Sequence, residues 1–257
     1  MTDLLRDHVV LLGRSYRLLR RQPIWLAIML VQPIVWLLLY SQLFGKLPRL
    51  GGFGTSNYLQ FLTPGIAILG AFSHGVWEGG GVVQDIERGA IDRFLATPLP
   101  PGALLVSRAV QAAITATGQA LVIVAVAFPF GARLDGGLPG LVAILVAASL
   151  VCVAFAALSH ALALLFRRQE TMIAVGQFAV LPLMFTSVML TSAAQMPVWM
   201  RRVAGANPVN WAVEAARSAM LGTDWASVIV HLGALAVLVV AMETFALVAL
   251  GRYQRSL

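Results

Sequence analysis

Several ionisable side chains stand inside otherwise apolar stretches of this sequence, among them His74, Glu78, His160 and Glu243. Such groups are costly in hydrocarbon, so each must be paired, near an interface or in use. His74 and Glu78 are four residues apart and share one helix face, which suits either a local ion pair or one step of a proton relay. His231 reads as interfacial. Ser73 precedes His74, but adjacent residues on a helix do not face each other, and no Gly-x-Ser-x-Gly occurs to support a serine nucleophile. Cys152, the single cysteine, can form neither an internal disulfide nor a thiolate metal site. The single lysine, Lys46, follows Gly45, yet Tyr40 stands where the first P-loop glycine belongs and Leu47 where Ser or Thr belongs. The backbone cradle for nucleotide phosphates is therefore missing. No catalytic set, metal-ligand set or cofactor site emerges from the spacing, and the chain does not read as an enzyme.

The elements that carry these residues are membrane spans. Of 257 residues, 59% are apolar and 11% are charged, against about 25% charged in an ordinary soluble domain. Apolar runs of about 20 residues, the length that crosses hydrocarbon, recur along the chain. They predict an all-α membrane protein of six transmembrane helices: 24–44, 59–82, 103–130, 138–166, 171–194 and 225–250. Gly79-Gly80-Gly81 is expected to loosen or end the second span. Residues 3–21 place Leu4, Leu5, Leu11, Leu12, Leu18 and Leu19 at helical spacing, with Arg6, Arg14, Arg17 and Arg20 between them, the pattern of a helix lying in the interface. This start is not expected to be a signal peptide, because its arginines precede a full-length span without a cleavage site. The six tryptophans fall mostly near span ends, as in an aromatic belt. No internal repeat suggests an inverted-repeat transporter.

The net charge of +7 comes from 17 arginines and one lysine. They cluster at span ends, which fits lipid headgroups and excludes a nucleic-acid face. With six spans, twelve of these cations fall on the side holding both termini and six on the other. The positive-inside rule then puts both termini in the cytoplasm, as in a multi-pass protein of the cell (inner or plasma) membrane.

The most informative connector is 83–102, cytoplasmic in this topology. Ile86, Ala90, Ile91, Phe94 and Leu95 fall at helical apolar positions, whereas Glu87, Arg88, Asp92 and Arg93 make a charged face. A bare connector needs no such face; a short amphipathic helix of this kind suits docking on a soluble partner. The stretch from Asp85 to Leu99 (DIERGAIDRFLATPL) resembles the signature joining spans two and three in type-2 ABC exporter permeases, especially the daunorubicin-resistance-like branch. Ala90-Ile91 departs mildly from the Thr-Leu or Thr-Met common there. Pro197-Val-Trp199, Asn207-Pro-Val-Asn-Trp211 and Glu214-Ala-Ala-Arg217 resemble the same family's segment between spans five and six.

The resemblance implies a transmembrane subunit of an ATP-driven exporter of amphipathic molecules (a drug, a lipid or a glycolipid). It implies a second permease copy or sister chain, two copies of an ABC ATPase that hold ATP and Mg, and contact with membrane lipids. Asp85, Glu87, Arg88, Gly89, Asp92, Arg93 and Phe94 would couple to the ATPase. The 1–22 helix, with Arg6, Arg14, Arg17 and Arg20, would be the connecting helix. Residues 195–224 would form short re-entrant outer helices, with Trp199, Asn207, Pro208 and Trp211 as an outer gate. A kink at Pro182, with Gln177, Thr186 and Ser187, would face the substrate path. The residues alone leave open a proton-coupled secondary transporter using His74, Glu78 and Glu243.

Overall fold

A computed structural model describes residues 23–51, 53–96 and 102–255. The N-terminal helix expected to carry Arg6, Arg14, Arg17 and Arg20 lies outside them. The described residues form helices without strands. In chain order these are α1 (Pro23–Leu43), α2 (Tyr58–Glu87), α3 (Ala90–Leu95), α4 (Gly102–Ala127), α5 (Gly137–Phe166), α6 (Gln169–Phe185), α7 (Val198–Ala206), α8 (Pro208–Leu221) and α9 (Trp225–Gln254). Short 3-10 turns at Leu47–Leu50, Phe128–Phe130 and Ala193–Gln195 punctuate the loops.

Among the described residues, four helices are long and apolar enough to cross a membrane: Tyr58–Glu87, Gly102–Phe130, Gly137–Phe166 and Trp225–Gln254. At 1.5 Å per residue, thirty residues span roughly 45 Å, more than the ~30 Å of hydrocarbon. α1 is apolar and 21 residues long, whereas α6 has only 17. Large apolar side chains stay exposed along the flanks, among them Leu39, Phe178, Ile229, Val237 and Val240. Lipid tails, unlike water, accept such a surface.

α5 is the axis of the bundle, packing against α2, α4, α8 and α9, while α1 and α6 lie against α2. The α2–α5 contact is close because small residues line it. A Cβ added at Gly75 would sit 2.4 Å from the Cys152 carbonyl oxygen, and one at Gly79 would sit 2.4 Å from Ser159 Oγ. Glycines four apart are the usual device for bringing two membrane helices into backbone contact. The pair is pinned further: the Gly79 amide donates to Ser159 Oγ (3.0 Å), and that hydroxyl donates to the Val76 carbonyl (2.6 Å). The expectation that Gly79–Gly81 ends the span is thus corrected. α2 runs unbroken to Glu87, because the glycines serve packing against a neighbour instead of a turn.

The fifth predicted span also differs. Its helix stops at Phe185, and residues 186–192 leave helical geometry. Pro182 sits in the last turn of α6 and cannot donate a backbone hydrogen bond. Non-helical backbone in such a place survives only where protein groups satisfy it, and Asn207, α8 and Tyr58 of α2 supply them. Asn207 Nδ2 donates to the Leu183 carbonyl (2.7 Å), and Asn210 Oδ1 accepts from the Val188 amide (2.8 Å). Arg217 donates to the carbonyls of Val188 (2.8 Å), Met189 (3.2 Å) and Phe61 (3.3 Å), and the Tyr58 hydroxyl donates to the Leu190 carbonyl (2.8 Å). The Arg217 guanidinium lies 3.5 Å from the centre of the Phe61 ring, within range of a cation–π contact.

Candidate functional site: the short helix at one end of the bundle

α2 ends at Glu87, and Arg88-Gly89 turn the chain into α3. Gly89 has φ 63, left-handed backbone that glycine adopts without a Cβ penalty. The break confines the short amphipathic helix expected within 83–102 to Ala90–Leu95. Three contacts fix this unit to the bundle. Ile91 is buried in a cluster with Val82, Val83, Leu105, Leu164 and Leu250. Asp92 Oδ1 accepts a 2.7 Å hydrogen bond from the Tyr253 hydroxyl on α9. Asp85 forms an ion pair with Arg108 on α4. The Arg167 guanidinium, just past the end of α5, lies 4.5 Å from the Tyr253 ring centre, so α3 is tied through one tyrosine to both α9 and α5.

The sequence-predicted coupling residues therefore divide. Asp85 and Asp92 hold the segment to its own bundle. Glu87, Arg88 and Arg93 are exposed, and Arg93 also donates to the Arg88 carbonyl (3.1 Å), bracing the turn. Phe94 is half-buried. Sequence reasoning missed Tyr253 and Arg108, which lie 161 and 23 residues from their partners. Nothing in local periodicity points to such pairings.

At the opposite end, α7 and α8 follow the 186–192 turn. Asn207 caps α8, its Oδ1 accepting from the Val209 amide (2.9 Å), with Pro208 in the first turn. Asn207 also bonds Thr186 Oγ1 (3.1 Å), so one candidate gate residue meets one candidate path residue. Ser187 Oγ instead donates to the Met184 carbonyl (2.7 Å). Trp199 is exposed, and Trp211 Nε1 donates to the Gly205 carbonyl (2.7 Å), linking α8 to α7. Gln177 lies on an exposed face of α6.

A third cluster sits within the bundle. Glu78 lies between two imidazoles, with His74 Nε2 at 3.1 Å and His160 Nε2 at 3.9 Å. His160 is buried on α5. Glu243 stands outside this group and makes no ion pair or hydrogen bond among the described residues. No group of three or more His, Cys, Asp or Glu among the described residues is placed to hold a metal ion. His231, on α9, meets Ser227 Oγ (3.1 Å) and Glu214 (3.4 Å).

Residues 7–221 match the family described as ABC-2 type transporter. The chain belongs to that family. It is 30% identical over 225 residues to a putative transport permease, ycf38, of Cyanophora paradoxa, covering 86% of this chain and 76% of that one. It is 27% identical over 214 residues to the daunorubicin resistance ABC transporter permease protein DrrB1 of Streptomyces coeruleorubidus, covering 82% and 74%. A ycf38 permease of Porphyra purpurea is 27% identical over 226 residues, covering 87% and 77%. The resemblance read from Asp85–Leu99 and the Asn207 region is thus borne out at family level. The chain is a multi-pass membrane permease of an ABC transporter, and members of this family are not themselves the ATPase.

Proposed function

We propose that this chain is the membrane-spanning subunit of an ABC exporter driven by a separate ATPase, and that residues 83–96 form the joint between them. The observation that carries this reading is α3 itself. Its inner side is anchored by Ile91 and by the Asp92–Tyr253 bond, while Glu87, Arg88 and Arg93 are left exposed beside it. A helix held on one side and charged on the other can pass a push from a soluble partner into α2, α5 and α9. In this reading α1 and the 169–194 segment complete six spans, with both termini and α3 in the cytoplasm.

Two permease copies, or one with a sister chain, enclose the path, and two ATPases hold ATP and Mg. Closure of the ATPases draws the two α3 segments together and switches the spans between inward- and outward-facing states as rigid bodies. The cargo is an amphipathic molecule, a drug or a lipid. The drug class is supported by the relative named for daunorubicin resistance. Trp199, Asn207, Pro208 and Trp211 gate the outer side.

Glu87→Arg combined with Arg88→Glu tests the joint. The double variant should insert normally but lose co-purification with the ATPase and ATP-driven transport; retention of both removes α3 from the coupling role. The second reading, proton-coupled transport, is favoured by Glu78 lying between His74 and His160. It predicts transport that survives without an ATPase and collapses with an uncoupler. Glu243, the third residue expected in this reading, makes no ion pair or hydrogen bond with His74 or Glu78.

A further inference from the structure

Glu78 precedes Gly79, one of the two glycines that bring α2 against α5, and its carboxylate reaches imidazoles on both helices. Oε1 lies 3.1 Å from His74 Nε2 on α2, and Oε2 lies 3.9 Å from His160 Nε2 on α5. The His160 side chain is 2% exposed and that of Glu78 is 23% exposed. Of the three, only His74 opens onto a cleft of about 400 Å³ between α1, α2 and α4, whose lining includes Gln32, Trp36, Ser73, Trp77 and Gln119. The Gln119 amide oxygen is buried there without a partner among the described residues. Such a polar group beside a roomy cleft is a station for water. His74 therefore stands between water and the two inner groups.

Charge decides what the cluster holds. A carboxylate taken out of water needs a compensating charge, and no arginine or lysine pairs with Glu78 among the described residues. Arg108 of α4 is engaged by Asp85 of α2, and Arg217 of α8 is committed to the Phe61 end of α2. From α5 the buried Cys152 thiol joins His160. α1 carries no charged side chain, and Glu170 in the first turn of α6 is exposed. No three His, Cys, Asp or Glu among the described residues are placed to hold a metal ion, so the cation that fits is a proton. With both imidazoles neutral the cluster carries one negative charge; one more proton makes it neutral. We propose that Glu78, His74 and His160 form a binding site for a single exchangeable proton, taken from water in the cleft and held across the α2–α5 contact. The proton is a ligand of that contact, whatever drives transport. Parting α2 from α5 lets water reach the carboxylate and weakens proton binding, so by linkage the bound proton favours the closed contact. α2 runs directly into α3, and α5 meets it through Arg167 and Tyr253, so in the exporter reading the proton bears on the joint with the ATPase.

Solid-state NMR of nitrogen-15-labelled histidine rings, on the full-length chain in phosphatidylcholine bilayers between about pH 5 and pH 9, tests it. The sequence has four histidines, so His8 and His231 serve as controls, each signal being assigned by replacing that histidine with glutamine. His74 and His160 should respond in one shared step, with one proton bound per chain. Glu78→Gln should weaken proton binding at His74 roughly tenfold or more, the usual effect of removing an opposite charge ~4–6 Å away, and leave His8 and His231 unmoved. Glu78→Asp, which keeps the charge, should restore most of the step; a merely structural role for Glu78 would leave the titration of His74 alone in both variants. The proposal is overturned by any of three results: His74 and His160 titrating at separate midpoints, neither titrating in this range, or Glu78→Gln leaving the His74 step in place. The first two are read on the unaltered protein, so a variant that fails to fold still leaves the proposal decided. No ATPase or substrate is present in the titration, so its outcome is separate from that of the exporter reading.

Discussion

Tyr253→Phe deletes one oxygen atom and separates two roles of that residue. The hydroxyl donates a 2.7 Å hydrogen bond to Asp92 on α3, while the ring faces Arg167 at 4.5 Å. Phenylalanine keeps the ring and its packing beside Ile91. A hydrogen bond to a charged acceptor contributes about 1.5–3 kcal/mol when protected from water. Asp92 is exposed, so water replaces much of the lost bond, and a discounted loss of about 0.5–1.5 kcal/mol follows. That is roughly a 2- to 12-fold shift toward a detached α3. Hydrogen exchange at the amides of 90–95, measured in nanodiscs, should accelerate by this factor while α5 stays protected. ATPase stimulation by the permease should fall in parallel. If exchange at 90–95 were unchanged in Tyr253→Phe yet rose in Ile91→Ala, apolar seating alone would hold α3, and the tyrosine tether would be wrong.

Arg217→Met should destabilise the opposite end. It leaves the Val188, Met189 and Phe61 carbonyls without that donor, at about 1–3 kcal/mol for a buried unsatisfied group; a fall in the detergent melting temperature, partly restored by Arg217→Lys, checks this. Gly79→Leu, which would press on Ser159 and Met172, should cost about 1–3 kcal/mol by overpacking, whereas Gly205→Leu, with open space around it, should cost far less; thermal unfolding of the pair decides. Cys152 is fully buried on α5, so maleimide should label it only after denaturation, and rapid labelling of the native protein would show that α5 is not the axis. Cysteines replacing Arg93 and Arg201 should be labelled from opposite faces of sealed vesicles; labelling from one face contradicts the six-span topology.

The membrane class and the long central helices were legible because hydrocarbon demands long uncharged runs, and 138–166 matches α5 to within a residue at its start. The amphipathic pattern after Asp85 likewise marked α3. The end of α6 was not legible. Residues 186–194 carry no charge, as a span would, and the polar groups that let them leave the helix belong to α8 and to Tyr58 of α2. Gly79–Gly81 misled for the same reason, since a glycine that admits a neighbouring helix looks in sequence like one that ends its own. Trp36 and Trp77 read as belt residues, yet both line the cleft between α1, α2 and α4. Periodicity records which face of a helix is apolar; it does not record what packs there.

In the proposed exporter α3 docks on a separate ATPase. A photocrosslinking amino acid at Arg88, on the exposed turn before α3, tests it in membranes from cells expressing the full-length chain, with adducts identified by mass spectrometry. An adduct with a P-loop ATPase subunit is expected from Arg88 and none from the same probe at Arg201 on α7. A crosslinker at Arg88 that captures only lipid or a second permease copy would contradict it.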